Sequence, residues 1–331
     1  MPIKKNVIHS LAFSIAAALA VFLLPFLIMN DNDTEIAKMP ITSISEKTNE
    51  KPFSITVMHR GNVISLTFFD YLCGVVAREM PADSEFEALK AQTVAAATYT
   101  IYRIQRSDKI SFPGHGGAEI CTDSAHCLAY ISKEEFCKNE AASKSYSIIE
   151  DAVREVYGQA ILHNGKPIDA VFFHSSCGVT SSAADAWGSD ISYLQGVKSP
   201  YDKLDKDFAR SVNLTLNEIK QKLTDAGLET EYYKNENDNI KIIKKDAFGT
   251  AIQIKIGKTV FRASAVRMAL GLASTHIDIS YKKGLFTFAT KGYGHNVGLS
   301  QTGANYMARH GSSCREILKW YYTGVEIGYA Y

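Results

Sequence analysis

The feature that most constrains this chain is a run of nineteen uncharged, mostly apolar residues at positions 11–29. A helix of that length can cross the hydrocarbon core of a bilayer. Lys4 and Lys5 precede the run and two aspartates soon follow it, which favours an N-terminus on the cytoplasmic side. We therefore expect residues 1–30 to form a cytoplasmic tail and a single-pass membrane anchor, with the bulk of the chain outside the cytoplasm.

Two other interpretations of this run remain open. A cleaved signal peptide also combines lysines with an apolar core, but that core is usually shorter. The small residues Ala18 and Ala20 are followed by further apolar residues, so cleavage at that point would be awkward. A helix buried in the core of a soluble domain is the third interpretation.

The composition of the whole chain is that of a globular protein. Of 331 residues, 46% are hydrophobic and 21% are charged, and the formal net charge is +1. No basic face stands out, which argues against a nucleic-acid-binding protein. Residues 31–52 are polar and aperiodic and are expected to be a linker, which leaves residues 53–331 as one extracytoplasmic domain.

Helical and strand-like segments occur in clusters along this domain. Alternating apolar residues predict β-hairpins at residues 54–68 and 161–173. Apolar periodicity, caps and breakers predict helices at residues 70–79, 84–106, 147–157, 215–227 and 264–270, and two short helices within 301–322. Clustered helices with strands in hairpins indicate an α+β fold with antiparallel sheet.

A carboxylate stands at the end of the first predicted helix. Glu79 occupies the last turn, directly before Met80 and Pro81, and the proline must stop the helix there. The negative end of the helix dipole disfavours ionisation, so the pKa of Glu79 is expected to be raised. A carboxylic acid that stays protonated near neutral pH is what a glycosidase needs to protonate a leaving oxygen. The ordinary alternative is a surface glutamate at a frayed helix end.

The acidic residues that follow Pro81 have a structural explanation. Ser84 and Glu87 match the pattern of a capping box for the second helix. Asp83 and Glu85 fit beside the positive end of the same helix. Glu87 is therefore expected to stabilise this helix rather than to take part in chemistry.

Residues 174–188, HSSCGVTSSAADAWG, place many hydroxyls beside Trp187. This arrangement suits a sugar, because hydroxyls form hydrogen bonds and an indole face stacks on the ring. His174 and Cys177 also suggest a base and a thiol nucleophile, but residues three apart on a strand point to opposite faces. A polar strand end followed by a turn is the ordinary explanation.

Residues 291–311, KGYGHNVGLSQTGANYMARHG, combine glycines with polar groups. The glycines let a ligand approach the backbone closely. The Gly-Lys-Ser/Thr pattern of a phosphate loop is missing from this segment. A plain strand-to-helix turn needs neither so many glycines nor so many hydrogen-bonding side chains.

Two histidines and two cysteines lie within thirteen residues: His115, Cys121, His126 and Cys127. They match the ligands of a tetrahedral zinc ion, and four protein ligands make a closed, structural site. The competing prediction is a disulfide between Cys121 and Cys127, which an extracytoplasmic location permits. The two flanking histidines favour zinc. Zinc-dependent hydrolysis is disfavoured, because such a site leaves no open position for water.

Four segments, taken in order, resemble the stage II sporulation protein D family. They are DYLCGVVAREMPADSEFEALKAQTVAAATYTIYR, FFHSSCGVTSSAADAWG, YLQGVKSPYD and GYGHNVGLSQTGANYMARHGSSCREILKWYYTG. The resemblance covers residues 54–328, and the predicted anchor fits it. It implies that residues 53–331 are the catalytic domain of a lytic transglycosylase. Such an enzyme cleaves the glycan strand of peptidoglycan between N-acetylmuramic acid and N-acetylglucosamine.

The resemblance also implies roles for individual residues. The family's catalytic acid lies in an E-M-P motif that corresponds to Glu79 here. This one carboxyl would protonate the glycosidic oxygen and then accept the proton of the muramic acid C6 hydroxyl, giving a 1,6-anhydro sugar. Some clostridial members bind zinc through two histidines and two cysteines in the corresponding region. By motif position, the glycan-binding residues would be Lys90, Gln92, Ser175, Ser176, Tyr293, His295 and Gln301.

The biological setting that the resemblance implies is engulfment of the forespore during sporulation. The partners would be peptidoglycan and stage II sporulation proteins P and M, of which the first is an amidase/endopeptidase and the second a membrane protein. The location would be the mother-cell membrane, with the bulk of the chain facing the intermembrane space. The alternative function is a non-catalytic, glycan-binding enhancer of a cell-wall amidase.

This chain departs from the family pattern at three positions. Ala97 stands where the family usually has arginine, and Asn296 and Cys177 replace usual glycines. Arg103 is the candidate to supply the missing guanidinium group. These departures affect the expected sugar contacts more than the expected reaction.

Overall fold

A computed structural model of the chain describes residues 53–81, 83–107 and 113–331. The anchor predicted at residues 11–29 and the linker predicted at 31–52 lie outside the described residues. Within the described ranges, no helix has the length and apolarity needed to cross a membrane.

The α-helices of the described residues are clustered, as the sequence predicts. They are α1 Phe68–Glu79, α2 Phe86–Ser107, α3 Lys133–Phe136, α4 Glu140–Val156, α5 Ala183–Trp187, α6 Leu216–Asp225, α7 Ala263–Leu270, α8 Gln301–Arg309 and α9 Cys314–Tyr321.

The strands of the described residues are short. They are β1 Ser54–His59, β2 Asn62–Thr67, β3 Ile120–Cys121, β4 Gln159–His163, β5 Lys166–Pro167, β6 Phe172–Phe173, β7 Ala209–Thr215, β8 Ile240–Lys245, β9 Ala251–Ile256, β10 Thr259–Arg262, β11 Ile277–Lys282, β12 Leu285–Lys291, β13 Leu299–Ser300 and β14 Glu326–Tyr329. They form small sheets in the orders β2-β1-β3, β14-β4-β5, β13-β6, β10-β9-β8 and β11-β12-β7. Most pairs are antiparallel, while β1 with β3 and β6 with β13 are parallel. The predicted α+β class with antiparallel hairpins is therefore confirmed for the described residues.

Helix α2 is the centre of the larger apolar core. Ala88, Ala91 and Ala95 on this helix are fully buried, so neighbouring elements can approach its backbone closely. Helices α1, α4, α8 and α9 all pack against α2. This packing fixes α1 and α8, which carry functional candidates at their ends, relative to one helix.

A second apolar core is formed by the part of the chain that runs from β7 to β12. It joins two of the sheets with α6 and α7 around Ile219, Ile254 and Phe288, all fully buried. Strands β7 and β12 pair along their whole length, with Ala209 opposite Lys291. The chain therefore enters and leaves this second core at neighbouring positions. The sequence reasoning did not separate it from the larger core.

The capping box predicted for the second helix is wrong. Helix α2 begins at Phe86, too late for Ser84 to cap it, and among the described residues the buried hydroxyl of Ser84 has no hydrogen-bond partner. Glu87 Oε2 instead accepts a hydrogen bond of 2.6 Å from the backbone N–H of Cys314, at the start of α9. The Glu85 N–H donates to Asn305 Oδ1 at 2.7 Å. Contacts with distant residues have taken the place of the local pattern.

Two other predicted boundaries differ from the structure. The helix predicted at residues 147–157 begins at Glu140, because Asn139 caps its N-terminus with a side-chain hydrogen bond. The predicted hairpin at 161–173 has a short second strand, β5, while Phe172 and Phe173 pair with β13 instead. Helix α6, predicted at residues 215–227, is confirmed, and Thr215 and Glu218 form a capping box at its start.

Candidate active site

Glu79 is the last residue of α1 and lines a cleft. Met80 is extended, with φ −113° and ψ 143°, and Pro81 follows it, so the helix ends where the sequence predicts. The cleft has a volume of about 670 Å³ and is lined by residues of the larger apolar core, by Arg267 of α7 and by the segment that carries the histidines and cysteines. Glu79 thus projects into a space large enough for part of a sugar chain.

The pKa of Glu79 is raised, mainly because burial disfavours its charged form. Hydrogen bonds from the Gln301 side chain and the Ala129 backbone act in the opposite direction, as does the positive charge of Arg78. The predicted direction is therefore confirmed, with burial as its leading cause. A carboxyl with a raised pKa in a cleft is better suited to donate a proton to a bound ligand than an ordinary surface glutamate.

Gln301 connects Glu79 to the interior. It is the first residue of α8, which Ser300 caps by accepting a hydrogen bond from the backbone N–H of Gly303. Its Nε2 lies 3.5 Å from Glu79 Oε2 and 3.5 Å from Oε1 of the fully buried Gln92. The structure therefore brings together three of the residues predicted for the site, with Gln92 behind the cleft wall.

Tyr293 projects into the cleft between two glycines. Gly292 and Gly294 have φ of +79° and +116°, and a Cβ at either position would collide with the backbone around Ser175 or with Phe173. This close approach lets the backbones of Tyr293 and Ser175 exchange two hydrogen bonds, of 2.7 and 3.0 Å. The Tyr293 side chain is 43% exposed, so its ring can contact a ligand.

Ser175 and Ser176 are buried and lie outside the cleft lining. The Ser175 hydroxyl donates to Asp205 Oδ2 at 2.7 Å, and the Ser176 backbone N–H donates to Asp202 Oδ2 at 2.7 Å. Both serines thus hold the polypeptide beside the cleft. Lys90 is also absent from the lining, and its ammonium group pairs with two glutamates elsewhere on the surface.

His295 lines the cleft, but both of its ring nitrogens contact the backbone. Its Nε2 lies 2.9 Å from the Phe172 carbonyl oxygen, and its Nδ1 lies 3.2 Å from the Val297 nitrogen. Burial and the charge of Arg267 lower the pKa of His295 to about 4. The neutral ring also packs beside Trp187, with the ring centroids 5.6 Å apart. His295 therefore forms part of the cleft wall.

Several cleft residues were missed by the sequence reasoning or mentioned only in passing. Arg103, the proposed substitute for the arginine missing at Ala97, does line the cleft, and its Nη2 donates to the Tyr99 hydroxyl at 2.7 Å. Asp169 faces the same space with a pKa raised by burial, against the charge of Arg103. The only available signal for Asp169 was a charge within the apolar run of residues 167–173.

His174 lines the cleft as well, whereas Cys177 does not. His174 Nε2 lies 2.8 Å from Asp205 Oδ2. The Cys177 thiol points to the Val179 carbonyl oxygen at 3.7 Å, and burial raises its pKa. The suggested pairing of these two residues as nucleophile and base is therefore wrong.

The four candidate metal ligands converge on one point. Their ligand atoms lie within 4.8 Å of one another. His115 Nε2 is 3.1 Å from His126 Nδ1, and Cys127 Sγ is 3.4 Å from each of these nitrogens. Tetrahedral zinc separates two nitrogens by roughly 3.3 Å and a nitrogen from a sulfur by roughly 3.5 Å. All six cysteines are free thiols, so the alternative disulfide is not formed here. The donor set and its spacing fit zinc.

This cluster borders the cleft. His126 and Cys127 belong to the cleft lining, and Ala129, whose N–H contacts Glu79, follows two residues later. The His126 carbonyl oxygen accepts hydrogen bonds from Tyr99 and Arg103 at 3.2 and 3.4 Å. The cluster therefore holds one wall of the candidate active site.

Comparison with known proteins agrees with these motifs. The family model described as "SpoIID: Stage II sporulation protein" matches residues 59–163. Stage II sporulation protein D of Bacillus subtilis is 33% identical over 303 residues, which cover 90% of this chain and 85% of that protein. The protein of the same name from Bacillus amyloliquefaciens is 35% identical over 85% of this chain and 80% of its own length.

A third relative has a different name. The "Amidase enhancer" of Bacillus subtilis is 27% identical over 309 residues, which cover 77% of this chain but only 40% of that longer protein. The two sporulation proteins exceed 30% identity and are matched over most of their length. This chain therefore belongs to the stage II sporulation protein D family.

Proposed function

We propose that this protein is a lytic transglycosylase that cleaves peptidoglycan glycan strands and leaves 1,6-anhydro-N-acetylmuramic acid ends. The observation that carries the proposal is the half-buried Glu79 carboxyl, which has a raised pKa and lines a cleft of about 670 Å³. The test is the release of anhydro ends from peptide-free glycan strands by the purified full-length chain.

The proposed reaction starts from protonated Glu79. This carboxyl gives its proton to the glycosidic oxygen as the bond from that oxygen to the anomeric carbon breaks. The C6 hydroxyl of the muramic acid forms the new bond to the same carbon and loses its proton. In the simplest scheme the Glu79 carboxylate takes this proton, so that one residue acts first as acid and then as base. No water is consumed.

The proposed glycan contacts come from the cleft lining. Tyr293 and Trp187 offer aromatic faces to sugar rings, and Gln301 orients the Glu79 carboxyl. Arg103 places a guanidinium group in the same cleft, as expected for a substitute for the arginine missing at Ala97.

A second candidate function follows from the similarity to the "Amidase enhancer". In that case the cleft would bind glycan without cleaving it and would promote the action of an amidase. The two functions differ in one observable, because an enhancer alone releases no anhydro ends. The raised pKa of Glu79 favours the transglycosylase, since a binding module has no need of a carboxyl with a raised pKa.

We also propose that His115, Cys121, His126 and Cys127 hold a structural zinc ion. With four protein ligands, the bound ion would stabilise the fold and would leave the proton transfers to the side chains of the cleft. Burial lowers the pKa of both histidines, which favours the neutral form that binds metal.

The setting that we propose is the mother-cell membrane during engulfment of the forespore. Residues 11–29 would anchor the chain, and the domain from residue 53 onwards would act on peptidoglycan in the intermembrane space. Stage II sporulation proteins P and M are the proposed partners. Membrane fractionation and co-purification with tagged P and M from sporulating cells test this setting.

A further inference from the structure

His174 lines the same cleft as Glu79 and pairs with the buried Asp205, and this pair has no role in the one-carboxylate scheme. His174 follows β6, and its Nε2 lies 2.8 Å from Asp205 Oδ2. The Asp205 side chain is only 6% exposed. It also accepts hydrogen bonds from the Ser175 hydroxyl at 2.7 Å and from the Asp207 N–H at 3.1 Å. The carboxylate is therefore fixed in place and orients the imidazole.

Nδ1, the other ring nitrogen of His174, has no hydrogen-bond partner among the described residues, so it can face a ligand. The His174 side chain is 37% exposed, and its ring lies edge-on to Tyr293, with the centroids 5.7 Å apart. When Nε2–H donates to Asp205, the lone pair of the neutral imidazole is on Nδ1. This is the arrangement by which an aspartate prepares a histidine to accept a hydroxyl proton. His295, in contrast, has both nitrogens against the backbone.

His174 and Glu79 are held by the same helix end. The His174 carbonyl oxygen accepts hydrogen bonds from the Thr302 N–H at 2.9 Å and from the Ser300 hydroxyl at 3.4 Å. Between these two residues lies Gln301, whose amide contacts Glu79. The N-terminus of α8 thus fixes the backbone of one residue and the side chain of the other.

We propose that His174 is the catalytic base, so that two residues divide the proton transfers of the reaction. This inference rests on the proposed transglycosylase function. Glu79 donates its proton to the leaving glycosidic oxygen as the C1–O bond breaks. The C6 oxygen forms the new bond to C1, and its proton passes to Nδ1 of His174. The Glu79 carboxylate and the His174 imidazolium then exchange protons with water, which restores the starting state.

This division of the proton transfers predicts that variants of Glu79 and of His174 respond differently to the leaving group of the substrate. A dinitrophenolate leaving group needs no proton, so an N-acetylmuramyl dinitrophenyl glycoside bypasses the acid but still requires the base. On glycan strands, Glu79→Gln and His174→Asn are both expected to lose about 10²–10⁴-fold in kcat. On the aryl glycoside, the loss in Glu79→Gln should shrink to less than about tenfold, while the loss in His174→Asn persists.

Two controls exclude a structural effect. His174→Asn should keep the Tm and the glycan affinity of the wild type, and His310→Asn, on the exposed end of α8, should keep full activity. Added imidazole should restore turnover to His174→Ala but not to Glu79→Gln, because only the first variant lacks a base.

The outcomes separate this inference from the function on which it rests. A wild type that releases no anhydro ends overturns both. A wild type that releases them, with His174→Asn within threefold of its rate, overturns the role of His174 alone. So does a His174→Asn defect that shrinks on the aryl glycoside in parallel with that of Glu79→Gln.

Discussion

Glu79 Oε2 lies 3.5 Å from Nε2 of Gln301, although 222 positions separate the two residues in the sequence. The contact joins the C-terminal end of α1 to the N-terminal end of α8. It also lowers the pKa of a carboxyl that burial raises. The proton affinity of Glu79 is thus set jointly by its helix and by a distant motif.

Replacing Gln301 should shift the pH dependence of the reaction. Gln301→Leu removes a hydrogen bond that favours the ionised carboxyl, so the pKa of Glu79 rises further. Because Glu79 must be protonated to act, activity is lost as pH rises through this pKa. The alkaline limb of kcat/KM should therefore move to higher pH, with kcat lower by roughly fivefold at the optimum. Gln221→Leu, on the exposed face of α6, is the control. An alkaline limb that stays in place or moves to lower pH contradicts this account.

The cysteine and histidine cluster should contain about one zinc ion per chain by elemental analysis. Cys127→Ser should lose the metal and lower the Tm, by roughly 2–4 °C for each 1 kcal/mol of stability lost. Cys137→Ser, outside the cluster, should keep both the metal and the Tm. Metal-free protein with a Cys121–Cys127 disulfide in its mass spectrum would exclude the zinc site.

Ser84 and Ser313 should differ in their effect on stability. Ser84→Ala should leave the free energy of unfolding unchanged or slightly higher, because its buried hydroxyl has no partner among the described residues. Ser313→Ala removes a capping box that the structure does contain, at α9, and should cost about 1 kcal/mol. Chemical denaturation measures both changes. Equal losses of unfolding free energy in the two variants would show that Ser84 does cap α2.

Tyr293 should contribute to glycan binding rather than to stability. Tyr293→Ala removes an exposed ring from the cleft, so the glycan Kd should rise about tenfold, equivalent to roughly 1.4 kcal/mol. The Tm should change little. Tyr233→Ala removes a ring of similar exposure that lies outside the cleft lining and is the matched control. Unchanged affinity in Tyr293→Ala would remove this ring from the binding surface.

The sequence predicted best what depends on neighbouring residues. Pro81 and the preceding apolar run were sufficient to place Glu79 at a helix end, and the spacing of four ligands was sufficient to group the histidines and cysteines. Ser175 and Ser176 were assigned to the glycan by their position in a motif of the family. Their actual partners, Asp205 and Asp202, lie 30 and 26 residues away, beyond the range of a local pattern.

Tertiary contacts also explain the other differences. The Glu87 carboxylate contacts an N–H that is 227 positions distant, and this contact replaces the expected local cap. The pair of His174 and Asp205 has no short-range signature either, because 31 positions separate the two residues. Local rules therefore placed Glu79 at the end of a helix, and the family resemblance proposed it as the acid. Only the packing of the whole domain located the groups around it.

The mass of the glycan ends tests the central claim most directly. Peptide-free glycan strands are incubated with the wild type, with Glu79→Gln and with the exposed control Glu134→Gln. The account predicts that the wild type and Glu134→Gln release ends of 1,6-anhydro-N-acetylmuramic acid, one water lighter than hydrolysed ends. Glu79→Gln should bind the glycan but release about 10²–10⁴-fold fewer such ends. Reducing ends from the wild type, or undiminished release by Glu79→Gln, would contradict it.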